Sequence, residues 1–356
     1  MHVSILIPVI GYKNIYKTLK SIQIQKEIKF EILILRNDIK SVSKDKSYIE
    51  KNGLDINLNC FIREIYIPKK GKGNALNVGI QKAKFDYICV LDADCILKED
   101  AIYKAIVHFK DRDVYAVGGR LIVQIEDFSV LESIQYLEYQ KTFLIYRNLF
   151  SKLNAQCLIS GAFGIFKKDI LLKMNGYDIH SVGEDMELIL RLQEILYDQN
   201  KTHIVYEPNS ICLTQVPHSF IRLMHQRDRW QRGLLDCLIK HYKMIGNIRY
   251  GTLGLFTLSY QFLIECLGPV FWSFYLVIIF DNHIFYSLLF YLLYFLFQIG
   301  LTFYSAYLDA DKNIKRINKW IPKLILITFE EILIQIPLIF SRIYGMITYH
   351  WRKMKW

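Results

Sequence analysis

The stretch Ile284–Leu308 carries no charged residue, and Leu253–Phe280 before it carries one acid, Glu265, and no base. Each run exceeds the roughly 20 apolar residues that a helix needs to cross a bilayer core. Two such runs in succession are expected to anchor the chain in a membrane as spans at about 253–280 and 284–308. A third apolar stretch, about 324–348, carries Glu330, Glu331, Gln335, Pro337 and Arg342. It could span if those polar groups face protein, or it could lie along the interface. The link before it holds Lys312, Lys315, Arg316, Lys319 and Lys323, and the tail Trp351–Trp356 is also basic. Basic flanks favour the cytoplasmic side, and one straight span between the two cannot place both there.

The first 250 of the 356 residues mix charged and apolar positions as a water-exposed domain does. The expected organisation is therefore a cytoplasmic domain over 1–235 and interfacial and membrane helices over 236–356. The net charge of +11 suits attraction to anionic headgroups. No zinc-finger spacing or aromatic RNA-binding pattern accompanies it, so nucleic acid is not an expected partner. The seven cysteines form no C-x-x-C pair and read as reduced core residues. No leader or N-terminal anchor is expected before the first strand-like run.

Within 1–235, β-branched runs alternate with helical periodicity. "HVSILIPVI", "FEILILRND", "FIREIYIP" and "DYICVLDADC" read as strands, with helices over Ile15–Gln25 and after "GKGN". That rhythm predicts an α/β fold with a doubly wound, mostly parallel sheet, whose ligands bind at the carboxyl ends of the strands. The rule sorts three Asp-x-Asp matches. Asp92 and Asp94 follow directly on "YICVL"; Asp111 and Asp113 sit in a charged turn; Asp309 and Asp311 end a membrane run. The first pair alone is placed to meet a nucleotide, and two carboxylates there suit Mg²⁺ or Mn²⁺.

Other clusters admit two readings each. Lys72, between glycines before a helix, is either part of an ordinary basic turn or a diphosphate contact. Ser160, Gly161, Ala162 and Gly164 allow close approach of another chain or a ligand. Glu184 and Asp185 open an amphipathic helix, where acids also complement the helix dipole. Gln226, Arg229 and Trp230 lie on a basic helix that could rest on lipid, or could offer a guanidinium to a phosphate and an indole face to a sugar.

Taken in order, "VSILIPVIGYKN", "GKGNALNVGI", "YICVLDADCIL", "AVGGRLIV", "SGAFGIFKKDIL", "GYD", "GEDMELILRL", "EPNSICLTQVP" and the Q-x-x-R-W of residues 226–230 resemble the inverting family-2 glycosyltransferases. The likeness is to the membrane-bound synthases of poly-N-acetylglucosamine, hyaluronan, chitin and cellulose. It implies a GT-A-like fold and a metal-dependent transfer of a sugar from a nucleotide sugar, UDP-linked by this likeness, to a growing polysaccharide with β linkage. Asp92 and Asp94 would hold the metal and diphosphate. Asp185 would be the general base with Glu184 beside it, while Lys72 and Arg229 would contact the nucleotide sugar. Ser160, Gly161, Gln226 and Trp230 would border the acceptor. The second strand ends "LRNDIK" where the likeness expects an acidic pair, so Asp38 is the candidate there, with Arg36 or Asn37 as alternative aligned positions. Gln215 stands where the likeness has an acid. A single-addition transferase making a glycolipid or lipid-linked sugar is the alternative expectation, with a lipid acceptor in place of a saccharide. In either case the protein is expected in the cell membrane, multi-pass, with its catalytic part in the cytoplasm.

Overall fold

A computed structural model describes residues 1–9, 15–37, 60–68, 71–125, 129–198, 203–279, 284–309, 328 and 333–352. In chain order the elements are β1 (His2–Val9), α1 (Tyr16–Gln23), β2 (Lys29–Arg36), β3 (Cys60–Tyr66), α2 (Lys72–Lys82), β4 (Tyr87–Leu91), β5 (Ile96–Leu97), α3 (Ala101–Ile106) and β6 (Val114–Val123). Then come α4 (Val130–Lys141), α5 (Arg147–Lys152), β7 (Phe163–Lys167), α6 (Lys168–Lys173), α7 (Glu184–Asp198), β8 (His203–Thr214) and α8 (Phe220–Lys240). The C-terminal part holds α9 (Gly268–Ile279), α10 (Ile284–Asp309), α11 (Leu333–Ile347) and α12 (Tyr349–Arg352). Contacts group the chain into two units, residues 1–122 with 151–215, and residues 123–150 with 216–356.

The first unit is built on one sheet in the order β3-β2-β1-β4-β7-β6-β8-β5. β3, β2, β1 and β4 run parallel. β7 then pairs antiparallel with β4 and with β6, and β5 pairs antiparallel with β8. The sheet is thus mixed: parallel through β4, reversed at β7, with β6 again running in the direction of β4. β1 and β2 are buried at every position after their first, as expected of strands covered on both faces. Leu6, Leu33 and Leu35 of these strands pack with Leu76 and Ile80 of α2 and Leu188, Ile189 and Leu192 of α7 in one core. That packing brings the N-termini of α2 and α7 to the carboxyl side of the parallel strands, where ligands meet such sheets.

The second unit is helical. The run expected as a first span is a bent pair rather than one rod: π-helical stretches Leu253–Leu258 and Gln261–Cys266 precede α9, and the axis turns by 42° at that break. α10 covers the second expected span and contains Leu288–Asp309, one helix long and apolar enough to cross a membrane. Counting the bent pair as one span makes two among the described residues. Of the third apolar stretch, the described part is the shorter apolar helix α11. The six cysteines with described side chains are buried and unbridged.

Candidate active site

Asp92 lies one residue beyond β4, and its N–H donates to Ala162 O at 3.0 Å. The antiparallel pairing of Leu91 with Phe163 fixes this register and sets the 160–162 segment beside the Asp92–Asp94 turn. Lys72 opens α2. The residue before it, Gly71, has φ +118°, where an L side chain is strained, although a Cβ there would touch nothing. The glycine therefore serves the backbone turn that aims Lys72. The Lys72 ammonium donates to Asp92 Oδ1 at 2.6 Å and to Gly161 O at 2.9 Å.

Gly161 joins two charged groups. Its carbonyl accepts from Lys72, while its N–H donates to Asp185 Oδ2 at 3.1 Å. A Cβ at this position would stand 3.1 Å from Lys72 Nζ and 3.4 Å from Asp185 Oδ2, so an added side chain would press on the ammonium and require it to give by a few tenths of an ångström. The other carboxylate oxygen of Asp185 accepts the N–H of Met186 at 2.9 Å. One oxygen is thus oriented by a donor in the first turn of α7 and the other by the segment before β7. Burial opposes the charge on Lys72, but Asp92, Glu184 and Asp185 outweigh it and raise the pKa of the ammonium. Glu184, 7% exposed, acts on Lys72 through this field.

Two clasps hold this arrangement, and sequence reasoning passed over both. Asn77 of α2 donates through Nδ2 to Tyr177 O at 2.9 Å and accepts the Tyr177 N–H at 2.7 Å. Arg191 of α7 donates to Gly176 O at 2.8 Å and to Met174 O, while Glu187 accepts two further bonds from it. The 174–177 turn is thereby tied to both helices that carry site residues. Buried Tyr177 has its phenol pushed up, first by burial and then by Asp185, Glu184 and Asp92. The signal available was the pair "ALN" and "GYD", polar groups flanked by helix and turn with no evident solvent role.

The remaining expected residues fall as follows. Asp94 is half-buried on the turn after Asp92. Ser160 Oγ accepts the Ala162 N–H at 3.4 Å. Asp38 lies outside the described residues, as does Asp311. Asp111 caps its own turn through the Asp113 N–H at 2.9 Å. Among the described residues no group of three or more His, Cys, Asp or Glu forms a ready metal cage. Two carboxylates on one turn nevertheless suit a hard cation that takes its other oxygens from a diphosphate and water.

In the second unit, α8 presents Arg229 and Trp230 on its exposed side, with Gln226 half-buried beside them. The residues between them are anchors. Arg227 donates to Glu138 Oε2 of α4 at 2.5 Å and stacks on the Trp230 ring at 4.5 Å. Asp228, 4% exposed, pairs with Arg232 at 3.4 Å and Arg352 at 3.1 Å. Gln231 accepts from Arg342 at 2.8 Å and donates to Glu265 O and Cys266 O. Among the described residues, no donor reaches the buried Gln226 Oε1.

Comparison with known proteins adds the following. Residues 87–307 match the model of the glycosyl transferase family group 2. The chain is 31% identical over 231 residues to a poly-beta-1,6-N-acetyl-D-glucosamine synthase of Staphylococcus aureus (strain COL), covering 65% of this chain and 53% of the relative. The same-named protein of Staphylococcus epidermidis is 32% identical over 193 residues, 54% and 45% of the two chains. The chain thus spans about half the length of the curated relatives it matches. In fold it is similar to the mannosyltransferase PcManGT from Pyrobaculum calidifontis, solved with GDP-Man and Mn²⁺. The TM-score is 0.62 with 15% identity over 99% of this chain and 87% of that one.

Proposed function

The chain belongs to the glycosyl transferase family group 2, and from that premise we propose that it transfers a sugar, an N-acetylhexosamine first among candidates, from a UDP-linked donor to a growing β-linked polysaccharide at the membrane. The observation that carries the proposal is the linked set Lys72–Asp92–Gly161–Asp185 at the carboxyl ends of the parallel strands. The poly-N-acetylglucosamine synthases it resembles support the choice of sugar.

In this reading Asp94 and Asp92 are the residues that would hold Mg²⁺ or Mn²⁺. When bound, the cation neutralises charge on the leaving nucleoside diphosphate. Lys72 adds a positive charge on the same side. Asp185, oriented by the Gly161 and Met186 N–H groups, takes the proton of the acceptor hydroxyl, and Glu184 keeps the local field negative. A base on the acceptor side, opposite the leaving group, yields displacement with inversion in one step. Ser160 and Gly161 border the acceptor, Gln226 and Trp230 engage its terminal sugar, and Arg229 meets the diphosphate. We assign residues 1–235 to catalysis and 236–356 to the membrane, with the catalytic part in the cytoplasm.

The test is incubation of membranes bearing the full chain with radiolabelled UDP-N-acetylglucosamine, other nucleotide sugars and Mn²⁺ or Mg²⁺. A ladder of water-soluble polymer is expected. A single product extracting into organic solvent would identify a lipid-linked sugar instead, and no transfer from any donor by folded protein would overturn the proposal.

A further inference from the structure

Glu132, Gln135 and Glu138 follow one another at intervals of three along α4, so they share one face of that helix. Each reaches α8 or its lead-in. Gln135 Nε2 donates to Pro217 O at 3.0 Å, and Glu132 Oε1 meets His218 Nδ1 at 2.6 Å. Glu138 accepts from Arg227, whose guanidinium lies over Trp230. The residue after His218 is the cap of α8: Ser219 Oγ accepts the Arg222 N–H at 3.5 Å. Ser129 caps α4 in the same way through the Glu132 N–H at 3.2 Å, which fixes the backbone that carries Glu132.

A seam that served packing alone would make these contacts with apolar side chains. Here Glu132 and Gln135 are each 1% exposed, and no donor among the described residues reaches Glu132 Oε2 or Gln135 Oε1. A half-satisfied carboxylate at such depth costs stability. What it returns is direction. With Glu132 as a carboxylate, Nδ1 of His218 carries the proton of their contact, and this short bond holds an imidazole that is otherwise half-exposed. Together with Arg227, two turns into α8, the lead-in gives that helix two points of attachment to α4. Two points set both where a helix aims and how it is rotated. Gln226 and Trp230 flank Arg227, so the same two points set their placing.

We propose that His218 is a positioning residue for acceptor binding: latched to Glu132, with Pro217 held by Gln135, it sets the start of α8 and through it the placing of Gln226 and Trp230. It acts through the helix and meets no reacting atom. The inference rests on the reading of Gln226 and Trp230 as acceptor contacts.

The test compares the full chain with His218→Ala, His218→Asn and His218→Gln in vesicles. UDP-N-acetylglucosamine is the donor and a short N-acetylglucosamine oligomer the acceptor. Asn offers a donor nitrogen where Nδ1 stands, whereas Gln offers one near Nε2. His218→Ala and His218→Gln should raise the acceptor KM by about tenfold, the order expected when a charge-assisted hydrogen bond is lost. The donor KM and kcat should stay within about twofold, and His218→Asn should restore the wild-type acceptor KM. Equal loss in the Asn and Gln variants, or a fall in kcat alone, would overturn the proposal. A second readout needs no transfer and so separates failure of the latch from failure of the assigned activity. Acrylamide quenching of Trp230, taken as the difference from Trp230→Phe, should change in the Ala and Gln variants and return in the Asn variant. Unchanged quenching in all three would overturn the latch. Changed quenching at an unchanged acceptor KM would keep the latch and remove Trp230 from the acceptor.

Discussion

Lys72 Nζ stands 2.6 Å from Asp92 Oδ1, joining the first residue of a helix to the first residue beyond a central strand. The pair is partly open, with side chains 18% and 33% exposed, so its worth to stability is modest. Its consequence is electrostatic: Asp92, Glu184 and Asp185 share one nearby ammonium. Lys72→Met is expected to weaken binding of a nucleoside diphosphate by tenfold or more, on the order of 1.4 kcal/mol. Calorimetric titration with UDP and Mn²⁺ reads this; unchanged affinity would remove Lys72 from the donor site.

Asp185 is predicted to act in proton removal and not in donor binding. Asp185→Asn keeps an oxygen for the Gly161 N–H and gives up the short-range bond from the Met186 N–H, so the link between the two segments should stand. Turnover should fall by about 10²–10⁴ while UDP affinity stays within about threefold, a shift of roughly 0.6 kcal/mol. Parallel loss of both would recast the residue as structural.

An acid-sensitive contribution to stability is expected away from the site. Glu31, 1% exposed, has its carboxyl opposed by burial. Ser4 Oγ, the Lys84 N–H and Arg63 together outweigh that penalty and hold its pKa below the ordinary value. Because the folded pKa is depressed, the stabilisation is present at neutral pH and is lost as pH falls through the carboxylate range. Glu31→Gln should lower stability at neutral pH and flatten the acid limb of a denaturation series. A wild-type acid limb retained in the variant would assign it to other carboxylates.

Arg227 is expected to set the indole of Trp230, on which it stacks while Glu138 holds its guanidinium. Glu138→Gln should raise the acceptor KM several-fold and leave the donor KM unchanged, with a shift in Trp230 emission measured against Trp230→Phe. A change in donor KM alone would contradict this.

The parallel half of the sheet was readable because β-branched runs and helical periods alternate over 1–91, and strand ends singled out Asp92 from Asp111 and Asp309. The antiparallel pairings were less visible. β6 and β7 are short-range ambiguous; the direction of β7 follows from the pairing of Leu91 with Phe163 and that of β6 from its pairing with β7, contacts that spacing does not reveal. The clasps of Asn77 and Arg191 also escaped, because each satisfies backbone groups of a turn about 100 or 15 residues away. Arg342 and Glu265 looked like anomalies within apolar runs. Their pairing at 3.1 Å shows each to be the partner of the other, a match that sequence distance concealed.

The most direct measurement compares initial transfer rates from radiolabelled UDP-N-acetylglucosamine, with Mn²⁺, for the wild type, Asp94→Asn and Asp113→Asn in matched membranes. The account predicts that Asp94→Asn loses at least about a hundredfold, as expected when a charge-stabilising group is removed from a reacting centre, and that Asp113→Asn stays near wild type. Equal loss in both variants, or full activity in Asp94→Asn, would contradict it.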